Sequence, residues 1–119
     1  MKLTLVLGAS LKTDRYSNYA IHSLINSKYE VIGVGLKEGV INGVKVYAGM
    51  PKFDSVHTIT LYLNPKRQEN YYNYIVSLKP KRVIFNPGTT NTELEKILSK
   101  NGIAFENSCT LVLLSTGQY

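Results

Sequence analysis

The chain has 119 residues, of which 44% are hydrophobic and 18% charged, a composition typical of a globular protein that folds around its own core. Its single cysteine, Cys109, excludes an internal disulfide framework and is typical of a reducing compartment, so we expect a cytoplasmic protein. The net charge of +6 would suit a polyanion, but the basic residues are scattered, which argues against nucleic acid as the partner. Apolar runs are too short for a signal peptide or a membrane span, so we expect neither.

The first elements are a strand, a tight turn and a helix. Residues 3–7 predict a buried strand, and the small residues 8–10 predict a turn that lets another group approach the backbone. Ser17 stands at the expected N-cap of a helix that continues to Ile25, and Arg15 precedes it. A helix N-terminus beside a glycine turn is a potential phosphate site. An ordinary turn between strand and helix explains the same residues equally well.

The turn matches neither of two common phosphate-binding motifs. No Gly-Lys-Ser/Thr follows Gly8 at the P-loop spacing. Ser10 replaces the second glycine of G-x-G-x-x-G, and the third glycine is missing. The motif alone therefore leaves the ligand open.

A second buried strand is predicted over residues 29–34, followed by Gly35, Leu36 and Lys37. NAD-binding domains usually carry an acidic residue at this point, where it binds the ribose hydroxyls. A lysine would instead favour a phosphate on the ribose. An ordinary surface lysine beside Glu38 remains the alternative.

The middle of the chain predicts a hairpin, a strand and a helix. Asn42-Gly43 is a two-residue turn within a small hairpin over residues 40–47. A strand follows over residues 57–63, and then a helix over residues 65–78 with Pro65 in its first turn. Three tyrosines of this helix could stack on nucleic-acid bases, but we expect them to pack in the core, namely Tyr71, Tyr72 and Tyr74.

The last third continues the alternation. Residues 82–85 predict a strand that stops at Asn86, Pro87 and Gly88, and residues 89–91 supply N-cap candidates for a helix that runs to Leu98. A short strand over residues 103–105 precedes an apolar tail over residues 111–114. We expect this tail to pack on the body of the protein or on a second subunit, so a homodimer or another protein partner stays open.

These elements predict one α/β domain over residues 1–119. We expect a doubly wound, parallel, five-stranded sheet in the order 3-2-1-4-5, with the hairpin as a small insertion. A ligand of such a sheet binds outside the carboxyl ends of the strands.

Catalytic residues are few at the predicted carboxyl ends. His22 falls inside the first helix, and His57 falls at the start of a strand, at the opposite end of the sheet. No metal-ligand spacing stands out, and Cys109 has no evident base, so we expect a small buried cysteine and no bound metal. The sequence therefore predicts a binding protein rather than an enzyme. A small NADP-linked oxidoreductase, or another nucleotide-dependent enzyme, is the alternative.

Several segments together resemble the family of small stand-alone CoA-binding domains, which is similar to the N-terminal domain of the succinyl-CoA synthetase α-subunit. The resemblance covers essentially the whole chain. It rests on V-L-G-A-S at 6–10, R-Y-S at 15–17, Y-E-V-I-G-V at 29–34 with Lys37, G-V-K-V-Y at 43–47, L-N-P at 63–65, V-I-F-N-P-G at 83–88 and E-N-S-C at 106–109. The chain lacks the second domain that the synthetases need for their reaction.

The resemblance implies a Rossmann-like, nucleotide-binding domain whose ligand is coenzyme A or an acyl-CoA. The diphosphate would lie on the first turn and the start of the first helix, the adenosine beside the second and third strand ends, and the pantetheine arm beside the fourth. The implied binding residues are Gly8, Ala9, Ser10, Arg15, Ser17, Gly35, Leu36, Lys37, Leu63, Asn64, Pro65, Asn86, Pro87 and Gly88.

Overall fold

The computed structural model describes residues 2–119, which form one mixed seven-stranded sheet with helices on both faces. The strands are β1 (Leu3–Ala9), β2 (Glu30–Gly35), β3 (Gly39–Ile41), β4 (Val44–Tyr47), β5 (Val56–Leu61), β6 (Arg82–Phe85) and β7 (Ala104–Asn107). The helices are α1 (Tyr16–Asn26), α2 (Pro65–Gln68), α3 (Tyr72–Ser77), α4 (Thr92–Lys100) and α5 (Thr110–Ser115), and a 3₁₀ turn (Glu69–Tyr71) joins α2 to α3.

The sheet confirms the predicted α/β fold with parallel pairing but corrects the strand count and order. Its order is β3-β4-β2-β1-β5-β6-β7, and every neighbouring pair is parallel except β3 with β4. The third predicted strand is β5, which pairs with β1, so the predicted order 3-2-1-4-5 is wrong. The hairpin is no insertion either, because β4 pairs with β2 and occupies the position that the prediction gave to the third strand.

Two hydrophobic clusters cover the two faces, as a doubly wound sheet requires. On β1, Leu5 and Leu7 belong to the cluster that includes the apolar residues of α3 and α4. Val6 and Ala9 point to the other face, where they join the cluster that includes α1. Because β1 is buried on both faces, it reads as a nearly continuous apolar run.

The predicted helix over residues 65–78 is broken. It forms α2, a 3₁₀ turn and α3, with Tyr71 leaving helical geometry at φ −109° and ψ 0°. The break follows Gln68, whose buried side chain hydrogen-bonds to loops outside the helix. Tyr74 and Ile75 pack in the core as predicted.

The apolar tail is helix α5, which packs against α1. Leu114 contacts the cluster on that face, whereas Val112 is exposed. Tyr119 closes the same side, because its hydroxyl lies 2.6 Å from Thr4 Oγ1 and the Arg82 guanidinium lies 4.6 Å from its ring centre. The tail therefore packs on the body of the protein, one of the two places expected for it.

Gly35 ends β2 where the backbones of β1 and β2 approach too closely for a side chain. A β-carbon there would overlap the carbonyl oxygen of Ala9. We expect Gly35→Ala to lower the free energy of unfolding by about 2 kcal/mol, because a backbone atom must move. Urea unfolding would measure the change.

Gly33→Ala is the matched control two residues earlier in the same strand. Its β-carbon would lie 3.0 Å from Ala9 Cβ and 3.1 Å from Val46 Cγ2, which are tight contacts with side-chain carbons but not an overlap with a backbone carbonyl. We expect a loss below about 1 kcal/mol there. Equal losses at the two positions would contradict the backbone contact.

Candidate functional site: a cleft at the carboxyl edge of the sheet

The strands β1, β2, β5 and β6 end at one edge of the sheet, the carboxyl edge, around a cleft of about 900 Å³ that we call the main cleft. All predicted binding residues line it except Pro65 and Asn86. The predicted residues that do are Gly8, Ala9, Ser10, Arg15, Ser17, Gly35, Leu36, Lys37, Leu63, Asn64, Pro87 and Gly88. The structure thus gathers residues from four separate loops, while their contact with a ligand stays a prediction.

The turn after β1 forms the floor of the main cleft. Gly8 has a φ of +95°, and a β-carbon on it would lie 3.0 Å from the Tyr62 backbone. Glycine is therefore required both by conformation and by space. The side chain of Ala9 is buried in the cluster beneath, so the turn presents mainly backbone to the cleft.

Ser17 is not the N-cap of α1, which corrects the sequence prediction. The N-cap is Arg15, whose side chain makes no capping bond, and Ser17 lies in the first turn. The buried Ser17 Oγ accepts a hydrogen bond from the Ser10 amide at 3.1 Å, and Asn18 Nδ2 donates to the Ser10 carbonyl at 3.0 Å. Ser17 and Asn18 therefore hold the turn against the helix.

The N-terminus of α1 opens onto the cleft through Arg15, Tyr16 and Ser17. The helix has 11 residues and no acidic side chain in its first turn. The amides of Asn18 and Tyr19 donate to the Arg15 carbonyl, whereas those of Tyr16 and Ser17 precede the first helical hydrogen bond. The helix dipole places partial positive charge at this end. This end of the cleft therefore favours an anion.

Four cationic side chains surround the main cleft, namely Lys12, Arg15, Lys37 and Arg67. Among its described lining residues there is no carboxylate and no histidine. Arg67 lies on α2, which begins with Asn64 accepting a hydrogen bond from the Arg67 amide at 2.9 Å. Positive charge thus comes from two loops and the helix α2 around the same space, without a neutralising acid in the lining.

The wall after β5 and β6 is built on Gln68, which is fully buried. Its Nε2 donates to the carbonyls of Leu63 and Thr89, each at 2.8 Å. Its Oε1 accepts from Asn91 Nδ2 at 2.9 Å. Because every polar atom of this amide is used, the two loops are fixed relative to each other.

Pro65 and Asn86 have structural positions that explain why they do not line the main cleft. Pro65 is the first residue of α2, where its missing amide hydrogen costs no helical bond. Asn86 is buried, and its Nδ2 donates to Thr60 Oγ1 at 2.6 Å and to the Leu61 carbonyl at 2.8 Å. Its Oδ1 accepts from the Thr110 amide at 2.9 Å. Asn86 therefore joins β5, β6 and the start of α5.

The sequence prediction missed several lining residues: Leu11, Lys12, Tyr16, Tyr62, Arg67, Tyr71 and Thr89. Burial raises the pKa of Tyr62 to about 12, although hydrogen bonds to Thr60 and Thr110 act in the opposite direction. Tyr62 therefore stays neutral at physiological pH. Tyr71 packs partly on the core, with its ring 6.3 Å from that of Tyr74, and also faces the cleft.

The two histidines lie where the sequence predicted, in α1 and at the start of β5. Burial and the nearby Lys2 and Arg82 lower the pKa of His57, which lies at the opposite edge of the sheet from the main cleft.

Within residues 2–119 no group of three or more His, Cys, Asp or Glu side chains could hold a metal ion. None of the helices described for this chain is both long and apolar enough to span a membrane.

Fold and cleft together describe an α/β domain with a positively charged cleft at the carboxyl edge of its sheet. The chain belongs to the CoA binding domain family, whose match covers residues 2–115. This confirms the family that the sequence motifs indicated. No curated protein sequence matches the chain.

Solved structures support the same fold. A crystal structure of a protein described as uncharacterized is 52% identical, covers 100% of this chain and 98% of its own, and superposes with a TM-score of 0.96. A hypothetical protein from Pyrococcus horikoshii OT3 is 27% identical, with 97% and 82% covered and a TM-score of 0.85. A dinucleotide-forming acetyl-coenzyme A synthetase 1 from Ca. Korarchaeum cryptofilum shares the fold at 17% identity and a TM-score of 0.72, over 90% of this chain and 25% of that one.

Proposed function

We propose that the chain binds coenzyme A or an acyl-CoA in the main cleft and catalyses no reaction by itself. The observation that carries the proposal is the set of four cations around a cleft without acids, beside the N-terminus of α1. Coenzyme A carries a diphosphate and a 3′-phosphate, and charge-assisted hydrogen bonds from lysine and arginine are the usual partners of such groups. Membership of the CoA binding domain family supports the same ligand.

The end of β2 distinguishes this ligand from NAD. An NAD site places a carboxylate there for the ribose hydroxyls, whereas this cleft has Lys37. The lining also lacks a histidine or carboxylate that could act as general acid or base, and burial moves the pKa of Tyr62 further above physiological pH, to about 12. These features favour binding over chemistry.

A thermal-shift panel of CoA, acetyl-CoA, NADP, NAD and a short DNA tests the proposal. A ligand at about one hundred times its Kd adds roughly 2.7 kcal/mol to the free energy of unfolding. In a domain near this size we expect CoA to raise Tm by about 10 °C and NAD to leave it unchanged. A larger shift with NADP or DNA than with CoA would replace the proposal by an oxidoreductase or a polyanion-binding protein.

Two double variants separate binding in the main cleft from binding elsewhere. Arg15→Ala with Arg67→Ala removes half of the cleft cations, and we expect the shift with CoA to disappear. Lys96→Ala with Lys100→Ala removes two exposed lysines of α4, which do not line the cleft, and should leave the shift intact. If both double variants respond to CoA alike, the ligand does not bind in the main cleft.

A further inference from the structure

The helices α1 and α5 and the residues that follow α5 carry no charged side chains. Both helices pack over the same face of the sheet and contact each other. Residues 16–27 and 107–119, which contain them, include no aspartate, glutamate, lysine or arginine, although the chain has 14 basic and 8 acidic residues. We call the solvent-exposed surface of residues 16–27 and 110–119 the uncharged face.

Composition alone does not explain the uncharged face. Helix α4, which covers the opposite face of the sheet, carries four charged side chains among its nine residues, namely Glu93, Glu95, Lys96 and Lys100. Charged and polar residues ordinarily occupy the solvent side of such a helix. Helix α1 has 11 residues and no charged one, so its solvent side follows a different pattern.

Exposed apolar side chains lie on the uncharged face instead. Tyr16 and Tyr19, three residues apart on α1, are 72% and 47% exposed, and their ring centres are 6.3 Å apart. On α5, Val112 is 55% exposed. Single exposed apolar residues are common on monomers, but protein interfaces combine exposed tyrosine with a depletion of charge at their centre. The uncharged face therefore has the composition of an interface.

The charge of the rest of the chain indicates which partner fits this face. A net charge of +6 makes two copies of the chain repel each other, and four of the cations surround the main cleft. Two copies approach with the least repulsion where neither presents a charge. Nucleic acid or an acidic protein would bind the cationic surfaces instead, because the uncharged face offers them no counter-charge.

A second copy also requires a surface that is complementary to itself, because a two-fold contact joins the same patch on both chains. Tyrosine rings pack against one another, and their hydroxyl groups both donate and accept hydrogen bonds. Tyr16 and Tyr19 supply such groups on α1, and Ser115 and Thr116 supply exposed hydroxyls at the end of α5.

We propose that the uncharged face forms a two-fold interface between two copies of this chain. About sixteen residues of this face are exposed or half-buried, fewer than the 20–30 that a standard interface uses on each side. A small interface implies weak association, with a Kd on the order of 10 μM. The interface does not depend on the ligand of the main cleft.

Analytical ultracentrifugation at rising protein concentration tests the proposal. We expect the mass to change from one chain to two near that Kd. Tyr19→Lys should weaken the association at least tenfold, because it places an unpaired charge against the partner, and Val112→Lys should do the same from α5. If one of the two variants fails to fold, the other carries the test. Tyr16 is left unchanged because it also lines the main cleft.

Met50→Lys is the matched control. Met50 is 48% exposed, nearly the same as Tyr19, and its substitution adds the same charge to the chain outside the uncharged face. This variant should dimerise like the native protein. Loss of the dimer in Met50→Lys as well would mean that net charge or another surface governs the association, and would overturn the proposal.

Salt distinguishes a contact without ion pairs from one made by charges. Raising NaCl from about 0.05 M to about 0.5 M should tighten the dimer, since screening reduces the repulsion between two chains of the same charge. A dimer that dissociates in high salt would be held by charged groups and would overturn the proposal. So would a mass of one chain at about fifty times the expected Kd, where a dimer should predominate.

Discussion

Replacing Asn86 with leucine should lower the free energy of unfolding by about 3–5 kcal/mol. The side chain is 2% exposed and makes three hydrogen bonds, to Thr60, to the Leu61 carbonyl and from the Thr110 amide. Leucine leaves these buried partners without Asn86, and each unsatisfied group costs about 1–3 kcal/mol. Urea unfolding would measure the loss, which corresponds to a Tm lower by roughly 10–20 °C.

Asn107→Leu is the matched control at the end of the neighbouring strand β7. Asn107 is exposed, and its hydrogen bonds to Thr90 and Glu95 are open to water, so we expect a change within about 0.5 kcal/mol. Asn86→Leu should also retain measurable CoA binding when it is folded, because Asn86 does not line the main cleft. If Asn86→Leu kept the stability of the native protein but no longer bound CoA, Asn86 would have to contact the ligand.

The fold could be predicted from the sequence to the level of its elements but not of its sheet order. Asn42 and Gly43 have φ values of +48° and +83°, as their turn chemistry indicates. Nothing local tells whether the strand that follows this turn, β4, packs beside β2 or remains outside the sheet. That choice depends on burial of Val44 and Val46 against the α1 face, which is a tertiary contact.

The prediction of one continuous helix over residues 65–78 was wrong for a similar reason. No glycine or proline marks a break between Pro65 and Leu78, and the apolar spacing favours a continuous helix. The break is associated with Gln68, whose amide bonds to the Leu63 and Thr89 carbonyls. Partners that come from loops distant in sequence leave no periodic pattern.

The site could be predicted mainly where strands end. Because the carboxyl ends of parallel strands share one edge, the loops after β1, β2, β5 and β6 were expected to lie close together. Arg67 was missed because it lies in the first turn of a predicted helix, where an isolated arginine is usually a surface charge. Ser17 was predicted as an N-cap, but it has a different role. Its preference for cap positions does not show that its hydroxyl accepts a hydrogen bond from the Ser10 amide.

Lys37→Ala should weaken CoA binding about tenfold. Lys37 lines the main cleft beside the end of β2, where the 3′-phosphate of CoA would meet it. A hydrogen bond to a charged group contributes about 1.5–3 kcal/mol, and exposure to solvent places this contact at the low end. Calorimetry with CoA at fixed ionic strength would measure the loss, because screening by salt weakens exposed charge pairs.

Dephospho-CoA, which lacks the 3′-phosphate, tests whether that phosphate is the group that Lys37 contacts. The native protein should bind it about tenfold more weakly than CoA, and Lys37→Ala should add no further loss, since both changes remove one interaction. Arg67→Ala is the comparison within the cleft, and we expect it to weaken both ligands by the same factor. Lys96→Ala, outside the cleft, should alter neither. If Arg67→Ala instead abolishes the difference between CoA and dephospho-CoA, then the 3′-phosphate binds at α2, and Lys37 is only a surface charge.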